Sequence, residues 1–206
     1  MLDKLRDRIS GFTLGLGRGA AQVMPSPTAW TVVGVMFSVL AAAFFATGGY
    51  RGELGGGISV LVSGFLDVVD GAVARATGRI SRRGAFLDST LDRLGETSIY
   101  LGVLLGNYTS PVIVFVALSC SLLVSYSRAK ADSLSVNLAG VGIGERSERL
   151  VVLVVASLVG LLAYGVLLVA ALAAVTFATR VARVTATLKE NVATRAPAGE
   201  AAPVSS

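Results

Sequence analysis

Apolar residues in this chain form long runs that short polar segments separate. Four runs have the length that an α-helix needs to cross about 30 Å of hydrocarbon, and they cover residues 28–48, 54–76, 84–106 and 111–131. A fifth run, 150–179, is too long for one crossing and is divided around residues 160–165, which adds two shorter spans. The pattern therefore predicts an all-α protein with six transmembrane helices.

The segment before the first run, residues 1–24, has a different pattern. Apolar residues recur at helical spacing among basic ones, at Leu2, Leu5, Ile9 and Phe12. This spacing predicts an amphipathic helix that lies in the membrane interface, with a solvated basic lead-in as the alternative. Pro25 and Pro27 separate it from a membrane domain that we expect to cover residues 25–190.

The last residues, 191–206, are rich in Ala, Pro and Ser and have little to bury. We expect them to form a disordered tail. At the other end the first long apolar run follows a charged segment and is not followed by a convincing cleavage site, so we expect no cleavable signal peptide.

Composition supports a membrane protein. Hydrophobic residues make up 53% of the 206 residues and charged residues only 15%, and the mean hydropathy is +0.73. An ordinary soluble domain carries far more charge. The net charge of +5 does not indicate nucleic acid, because the basic residues lie at the ends of apolar runs without interleaved aromatics. Membrane lipids and phosphate-bearing substrates are the expected partners.

The basic residues also predict an orientation. In a six-span protein the N-terminus, residues 77–83, residues 131–149 and the C-terminus share one side, and nearly all Lys and Arg lie there. Arg51 is the lone basic residue in the opposite loops. The positive-inside rule then predicts a multi-pass protein of the cell membrane, with this side and both termini facing the cytosol.

Four aspartates within the apolar runs are the candidate chemistry. Asp67 and Asp70 lie in the second run, and Asp88 and Asp92 lie in the third. Residues three or four apart share a helix face, so two such helices can form one acidic cluster. Carboxylates gathered in a low-dielectric setting repel one another unless cations neutralise them. The chain has no His and one Cys, which favours oxygen ligands and a hard ion such as Mg²⁺ or Mn²⁺.

The full spacing is Asp67-x-x-Asp70-Gly71-x-x-Ala74-Arg75, then eight residues, Gly84, and Asp88 and Asp92 at intervals of four. This pattern resembles the signature of the CDP-alcohol phosphotransferase family at every defined position. The alternative interpretation, carboxylates that serve only packing or ion pairing, is disfavoured because ionisable residues inside membranes are functional by default.

The resemblance implies a set of roles for the aspartates. Asp67, Asp70 and Asp88 would be metal ligands for two Mg²⁺ or Mn²⁺ ions. Asp92 would be the general base that deprotonates the acceptor hydroxyl, and would also touch metal. The donor would be a CDP-linked lipid, CDP-diacylglycerol or CDP-archaeol, and CMP would leave.

The resemblance also implies a nucleotide site, formed by Thr31, Gly71, Ala74, Arg75 and Gly84. Small residues let the helix backbone approach a nucleotide, although they also serve close helix packing in membranes. Arg75 would bind phosphate, with a position at the interface as its alternative.

Other charged residues near the motif are not assigned to the metal or to a substrate. Arg79, Arg82 and Arg83 are interpreted as interfacial charges. Arg93 and Glu96 are predicted to be partners that balance charge inside the membrane, with a role in the site as the alternative.

Residues 125–132 and 145–149 resemble the prokaryotic branch of the family that uses inositol phosphate. A cationic pocket for the acceptor phosphate would form from Arg128, Lys130, Arg146 and Arg180. Ordinary positive-inside residues are the alternative. The chain departs from the commoner pattern of this branch by exchanging Lys and Arg at positions 128 and 130.

The sequence thus predicts a membrane enzyme that transfers a phosphatidyl-type group from a CDP-lipid to inositol phosphate. Glycerol 3-phosphate is the alternative acceptor. A divalent cation transporter and an inactive scaffold are alternatives of other classes. The family resemblance also implies a homodimer.

Overall fold

The computed structural model describes residues 2–195, with side chains described for residues 13–189. The described chain contains seven α-helices and no strand, so the all-α prediction is confirmed. The helices are α1 (Leu2–Val23), α2 (Pro27–Ala46), α3 (Gly49–Thr77), α4 (Arg82–Leu105), α5 (Pro111–Ser133), α6 (Arg146–Leu158) and α7 (Leu162–Arg195).

Residues with special backbone properties mark the helix ends. Pro27 and Pro111 occupy the first turn of α2 and α5, where the missing N–H costs nothing because it would have no intrahelical partner. Gly78 ends α3 in the left-handed conformation, with φ of 65°. Ser81 caps α4, because its Oγ accepts a hydrogen bond from the Gly84 backbone N–H at 3.0 Å.

Four of the helices are long and apolar enough to cross a membrane, namely α2, α3, α5 and α7. Helix α4 has the length but carries polar and charged residues in its first half. Helix α6 has 13 residues, so it extends only about 20 Å. Large apolar side chains are exposed on the outside of the bundle, among them Met36, Phe65 and Phe115, as expected of a surface that contacts lipid rather than water.

The helices pack closely around α2 and α3. Helix α2 contacts both α3 and α4, α5 pairs with α7, and α1 lies against α3. A methyl group placed on Gly102 of α4 would lie 2.4 Å from the backbone of Ala42 in α2, so only glycine permits this approach. The buried apolar core includes Phe45, Tyr100 and Leu162.

The predicted boundaries hold within a few residues. The last apolar run divides between Leu158 and Leu162, and Gly160 takes a positive φ of 73° in the turn. Helix α7 continues to Arg195 and so enters the segment predicted to be a disordered tail. Residues 196–206 of that tail lie outside the described residues. The N-terminal segment is helical from residue 2 to 23.

Candidate active site

Three carboxylates meet at one end of the bundle. Asp67 and Asp70 lie in the later part of α3, and Asp88 lies in the second turn of α4. One oxygen from each lies within 4.8 Å of the others. The Asp70 Oδ2 and Asp88 Oδ1 atoms are buried and have no hydrogen-bond partner within the described part of the chain. Buried carboxylate oxygens without donors are costly, so this cluster fits a hard divalent cation such as Mg²⁺ or Mn²⁺.

The fourth aspartate, Asp92, lies beside this cluster rather than in it. Its Oδ1 is 2.9 Å from Nη1 of Arg146, the first residue of α6. The same Arg146 nitrogen is 3.1 Å from Oδ1 of Asp67. Arg146 therefore bridges Asp67 and Asp92, two residues that the sequence assigned to the metal and the base. A guanidinium at this distance orients a carboxylate and favours its anionic form over the protonated one.

A cavity of about 340 Å³ opens on one side of the cluster. We call it the small-residue cavity, because Gly71, Ala74, Gly84 and Ala85 line it together with Thr31, Asp70 and Asp88. Thus four of the five residues predicted to bind the nucleotide line one cavity. Thr31 lies at the entry of α2, where its hydroxyl donates to the Pro27 carbonyl at 3.3 Å.

The surroundings of Gly71 and Gly84 bear on the two interpretations of these glycines. A methyl group on Gly71 would meet only the Arg75 side chain, 3.4 Å from its Nη1, among the described residues. A methyl group on Gly84 would meet only Ser81 Oγ, at 3.0 Å, in the same part of the chain. Neither glycine is pressed against another helix. Their small size keeps the cavity open, which favours the ligand interpretation over packing.

Two arginines, Arg75 at the end of the first half of the motif and Arg79 after it, lie in positions other than those that the sequence predicted. Arg75 is exposed beside Gly71 and is not among the residues that line the cavity. Arg79, interpreted as an interfacial charge, lines it instead and donates from Nη1 to the Pro25 carbonyl at 3.1 Å. Gly78 ends α3 and turns the chain, and this turn returns Arg79 toward the cavity. The sequence indicated that the helix ends near residue 76, but it did not indicate the direction of the Arg79 side chain after the turn.

A second cavity, of about 250 Å³, opens on the other side of the aspartates. We call it the arginine cavity, because five arginines contribute to its lining: Arg93, Arg128, Arg146, Arg149 and Arg180. Asp67 and Asp92 line it as well. The Nε of Arg146 is buried without a hydrogen-bond acceptor among the described residues, and a buried donor without a partner is costly.

Three of the four predicted acceptor residues, Arg128, Arg146 and Arg180, line the arginine cavity, and Lys130 does not. Lys130 lies along a separate apolar groove between α5 and α7. Positions two apart on a helix point about 200° apart, so Arg128 and Lys130 face different sides of α5. The structure therefore does not support Lys130 as an acceptor ligand.

Arg180 is more deeply buried than a flexible phosphate ligand would be. Its side chain is 2% exposed, and it donates to the carbonyls of Val141 and Val124 at 3.0 Å each. Its Nη2 is 3.1 Å from Oε1 of Glu145. Arg180 thus joins α7 to α5 and to the loop before α6.

The charge partners inside the bundle also differ from the sequence interpretation. Glu96 pairs with Arg149 rather than with Arg93, through contacts of 2.8 to 3.1 Å. Both side chains are buried, at 2% and 0% exposure. Arg93 donates to the backbone carbonyl of Ser89. The Glu96–Arg149 pair fixes α6 against α4 beside the arginine cavity.

The aspartates form the wall between the two cavities. Asp70 and Asp88 line the small-residue cavity, whereas Asp67 and Asp92 line the arginine cavity. A void of about 10 Å³ between them is lined by Asp67, Asp70, Asp92 and Arg146. Two ligands, one in each cavity, would therefore meet at the carboxylates.

Comparison with known proteins agrees with this geometry. A family model described as CDP-alcohol phosphatidyltransferase matches residues 24–142. The archaetidylinositol phosphate synthase of Pyrococcus horikoshii is 38% identical over 88% of this chain and 95% of its own length. The phosphatidylinositol phosphate synthase of Streptomyces avermitilis is 40% identical over 68% of this chain and 60% of its own length.

Solved structures show the same fold. The phosphatidylinositol phosphate synthase of Mycobacterium tuberculosis with CDP-DAG bound superimposes with a TM-score of 0.73, at 28% identity, over 84% of this chain and 92% of that one. The same enzyme in complex with manganese and citrate gives a TM-score of 0.74, over 84% and 88% of the two chains. The family model includes all four aspartates, and the chain belongs to the CDP-alcohol phosphatidyltransferase family.

Proposed function

We propose that this protein transfers a phosphatidyl or archaetidyl group from a CDP-lipid to a hydroxyl of inositol phosphate and releases CMP. The observation that carries the proposal is the aspartate wall, with a cavity lined by small residues on one side and one lined by arginines on the other. The relatives named above are synthases of archaetidylinositol phosphate and phosphatidylinositol phosphate, which supports the same donor and acceptor classes here.

The donor nucleotide is assigned to the small-residue cavity. Gly71, Ala74 and Gly84 leave room for close approach of the nucleotide to α3 and α4. Arg79 supplies a cation at its rim. Asp67, Asp70 and Asp88 would hold the metal, which when bound neutralises charge on the pyrophosphate and on the departing CMP. The number of ions stays a prediction.

The acceptor is assigned to the arginine cavity, with its reacting hydroxyl near Asp92. Asp92 takes the hydroxyl proton, the hydroxyl oxygen forms a bond to the phosphorus that carries the lipid, and the bond from that phosphorus to the CMP oxygen breaks. Arg146, between Asp67 and Asp92, orients the base and places a cation in the lining of the acceptor cavity. Positioning of both substrates supplies much of the rate enhancement.

The arginine cavity favours an acceptor that carries phosphate. An acceptor without phosphate, such as free inositol or serine, would offer no phosphate to Arg128 and Arg146, the two arginines of this cavity that stay partly exposed despite their carboxylate partners. Glycerol 3-phosphate carries the same charge and remains the alternative within the class. A transporter would not need the open space beside Gly71 and Gly84, and this observation disfavours that class.

The proposal includes six membrane crossings, with α4 and α6 as the two beyond those recognised by length and composition. Helix α4 is less apolar because it carries Asp88, Asp92 and Glu96 into the bundle interior. Helix α6 is short because it begins inside the protein at Arg146. The site end, which holds Arg79, Arg82 and Arg83, would face the cytosol.

Three further features belong to the same proposal. Helix α1 would lie in the interface on the site side, the protein would reside in the cell membrane, and two copies would form a homodimer, as the family resemblance implies.

The function is tested by measuring CMP release from purified protein in detergent with Mg²⁺ and a CDP-lipid. The acceptors are inositol 1-phosphate, glycerol 3-phosphate, inositol and serine. CMP release with inositol 1-phosphate alone supports the proposal. Faster release with glycerol 3-phosphate would show that glycerol 3-phosphate, and not inositol phosphate, is the acceptor. No release with any acceptor, together with Mn²⁺ uptake into proteoliposomes, would overturn the enzyme class.

A further inference from the structure

Glu145 places a carboxylate inside a cavity otherwise dominated by arginines. It is the residue just before α6, and it lines the arginine cavity. Its Oε1 accepts hydrogen bonds from Nη1 of Arg128 and from Nη2 of Arg180, each at 3.1 Å. The side chain is 39% exposed, so the carboxylate also faces the open cavity.

The two arginines that hold Glu145 are not equivalent. Arg180 is buried and is fixed by backbone carbonyls on two other segments. Arg128 is half exposed, and Glu145 is its only ion-pair partner among the described residues. Glu145 therefore has a buried cation on one side and a half-exposed cation on the other. A guanidinium has five N–H donors, so Arg128 can hold Glu145 and a ligand phosphate together.

A carboxylate in this position interacts differently with the phosphate group and with the hydroxyl groups of a polyol phosphate. An anionic phosphate next to Glu145 is repelled, whereas a hydroxyl can donate a hydrogen bond to the carboxylate. Hydrogen bonds to charged groups are among the stronger ones, and a site built for a hydroxyl discriminates against ligands that lack it. Glu145 can thus set both the orientation and the identity of the acceptor.

We propose that Glu145 is the specificity-determining residue of the acceptor site, accepting a hydrogen bond from a ring hydroxyl of the polyol phosphate while the phosphate binds on the far side of Arg128. This inference rests on the proposed function, because it assumes that the acceptor occupies the arginine cavity. It distinguishes a polyol ring from the shorter glycerol 3-phosphate, which has fewer hydroxyls to offer.

The variant Glu145→Gln tests this role, because it preserves size and removes the charge. Asp132→Asn is the matched control, since Asp132 is exposed near the same end of α5 and lines no cavity described above. We expect kcat/KM for inositol 1-phosphate to fall about tenfold in Glu145→Gln, with little change for glycerol 3-phosphate. Asp132→Asn should change neither value.

Acceptors that lack single hydroxyls make the test independent of folding. Among inositol 1-phosphates that each lack one hydroxyl, one should lower kcat/KM of the wild type about tenfold. The same compound should lower kcat/KM of Glu145→Gln much less, because the carboxylate that binds this hydroxyl is already absent. The inference would be overturned if Glu145→Gln lowered kcat/KM equally for inositol 1-phosphate and glycerol 3-phosphate. It would also be overturned if every deoxy compound lowered kcat/KM of the variant as much as it lowers that of the wild type. An inactive wild type would instead refute the proposed function, so the two failures are distinguishable.

Discussion

Gly71 provides the sharpest test of the small-residue cavity. The variant Gly71→Ala adds one methyl group that the protein itself accommodates, because its nearest neighbour would be the flexible end of Arg75 at 3.4 Å. Replacing an interior helical glycine with alanine should raise the free energy of unfolding by about 0.8–1.0 kcal/mol. The methyl group would, however, fill space that the donor needs. Overpacking costs about 1–3 kcal/mol, so KM for the CDP-lipid should rise about 5- to 150-fold.

Gly64 of the same helix provides the matched control. A methyl group there meets nothing within 4 Å among the described residues, and Gly64 lines neither cavity. Gly64→Ala should therefore stabilise the protein as Gly71→Ala does, with an unchanged KM for the CDP-lipid. The assays are thermal unfolding in detergent and CMP release over a range of CDP-lipid concentrations. If Gly71→Ala also leaves KM unchanged, the cavity is not the donor site.

Three further substitutions test the packing and the rim of the site. Gly102→Ala should lower the free energy of unfolding by about 1–3 kcal/mol, because its methyl group would lie 2.4 Å from the Ala42 backbone. Glu96→Gln should lower it by about 3–5 kcal/mol, because Arg149 would remain buried without a compensating charge. Both are measured by thermal unfolding in detergent. Arg79→Ala should raise KM for the CDP-lipid about tenfold by removing a charge-assisted contact at the cavity rim, as CMP release measures.

Two of these substitutions have a control of the same residue type elsewhere in the chain. Gly64→Ala is the control for Gly102→Ala. Arg82→Ala is the control for Arg79→Ala, because Arg82 does not line the small-residue cavity. Equal KM effects at Arg79 and Arg82 would indicate a general loss of surface charge rather than a contact. A wild-type unfolding temperature for Glu96→Gln would show that water reaches Arg149.

Local sequence spacing predicted the parts of the site that lie on single helices. Asp67 and Asp70 share a face of α3, and Gly71 and Ala74 continue it, so one motif specified both two members of the carboxylate cluster and part of the cavity lining. Helical periodicity also separates Arg128 from Lys130, which are two residues apart on α5. The family pattern assigned them together, and the geometry of the helix assigns only Arg128 to the cavity.

The contacts between distant segments could not be predicted in the same way. Glu96 and Arg149 are 53 positions apart, and Arg180 and Glu145 are 35 apart. Nearby Arg93 seemed the natural partner for Glu96, but the packing of α6 against the bundle brings Arg149 to it instead. Glu145 lies in a loop, where no periodicity indicates direction. The pairing of charges around the arginine cavity therefore depends on how the helices pack and cannot be predicted from local sequence.

The central claim is a division of roles across the aspartate wall, in which Asp67, Asp70 and Asp88 hold the cation and Asp92 accepts the proton. Mn²⁺ binding, measured by electron paramagnetic resonance on the wild type, Asp88→Asn and Asp92→Asn, tests it most directly when CMP release is measured on the same samples. Asp88→Asn should lose both binding and CMP release. Asp92→Asn should keep Mn²⁺ binding while CMP release falls about 10²- to 10⁴-fold. Loss of Mn²⁺ binding in Asp92→Asn as complete as in Asp88→Asn, or undiminished CMP release in Asp92→Asn, would contradict this account.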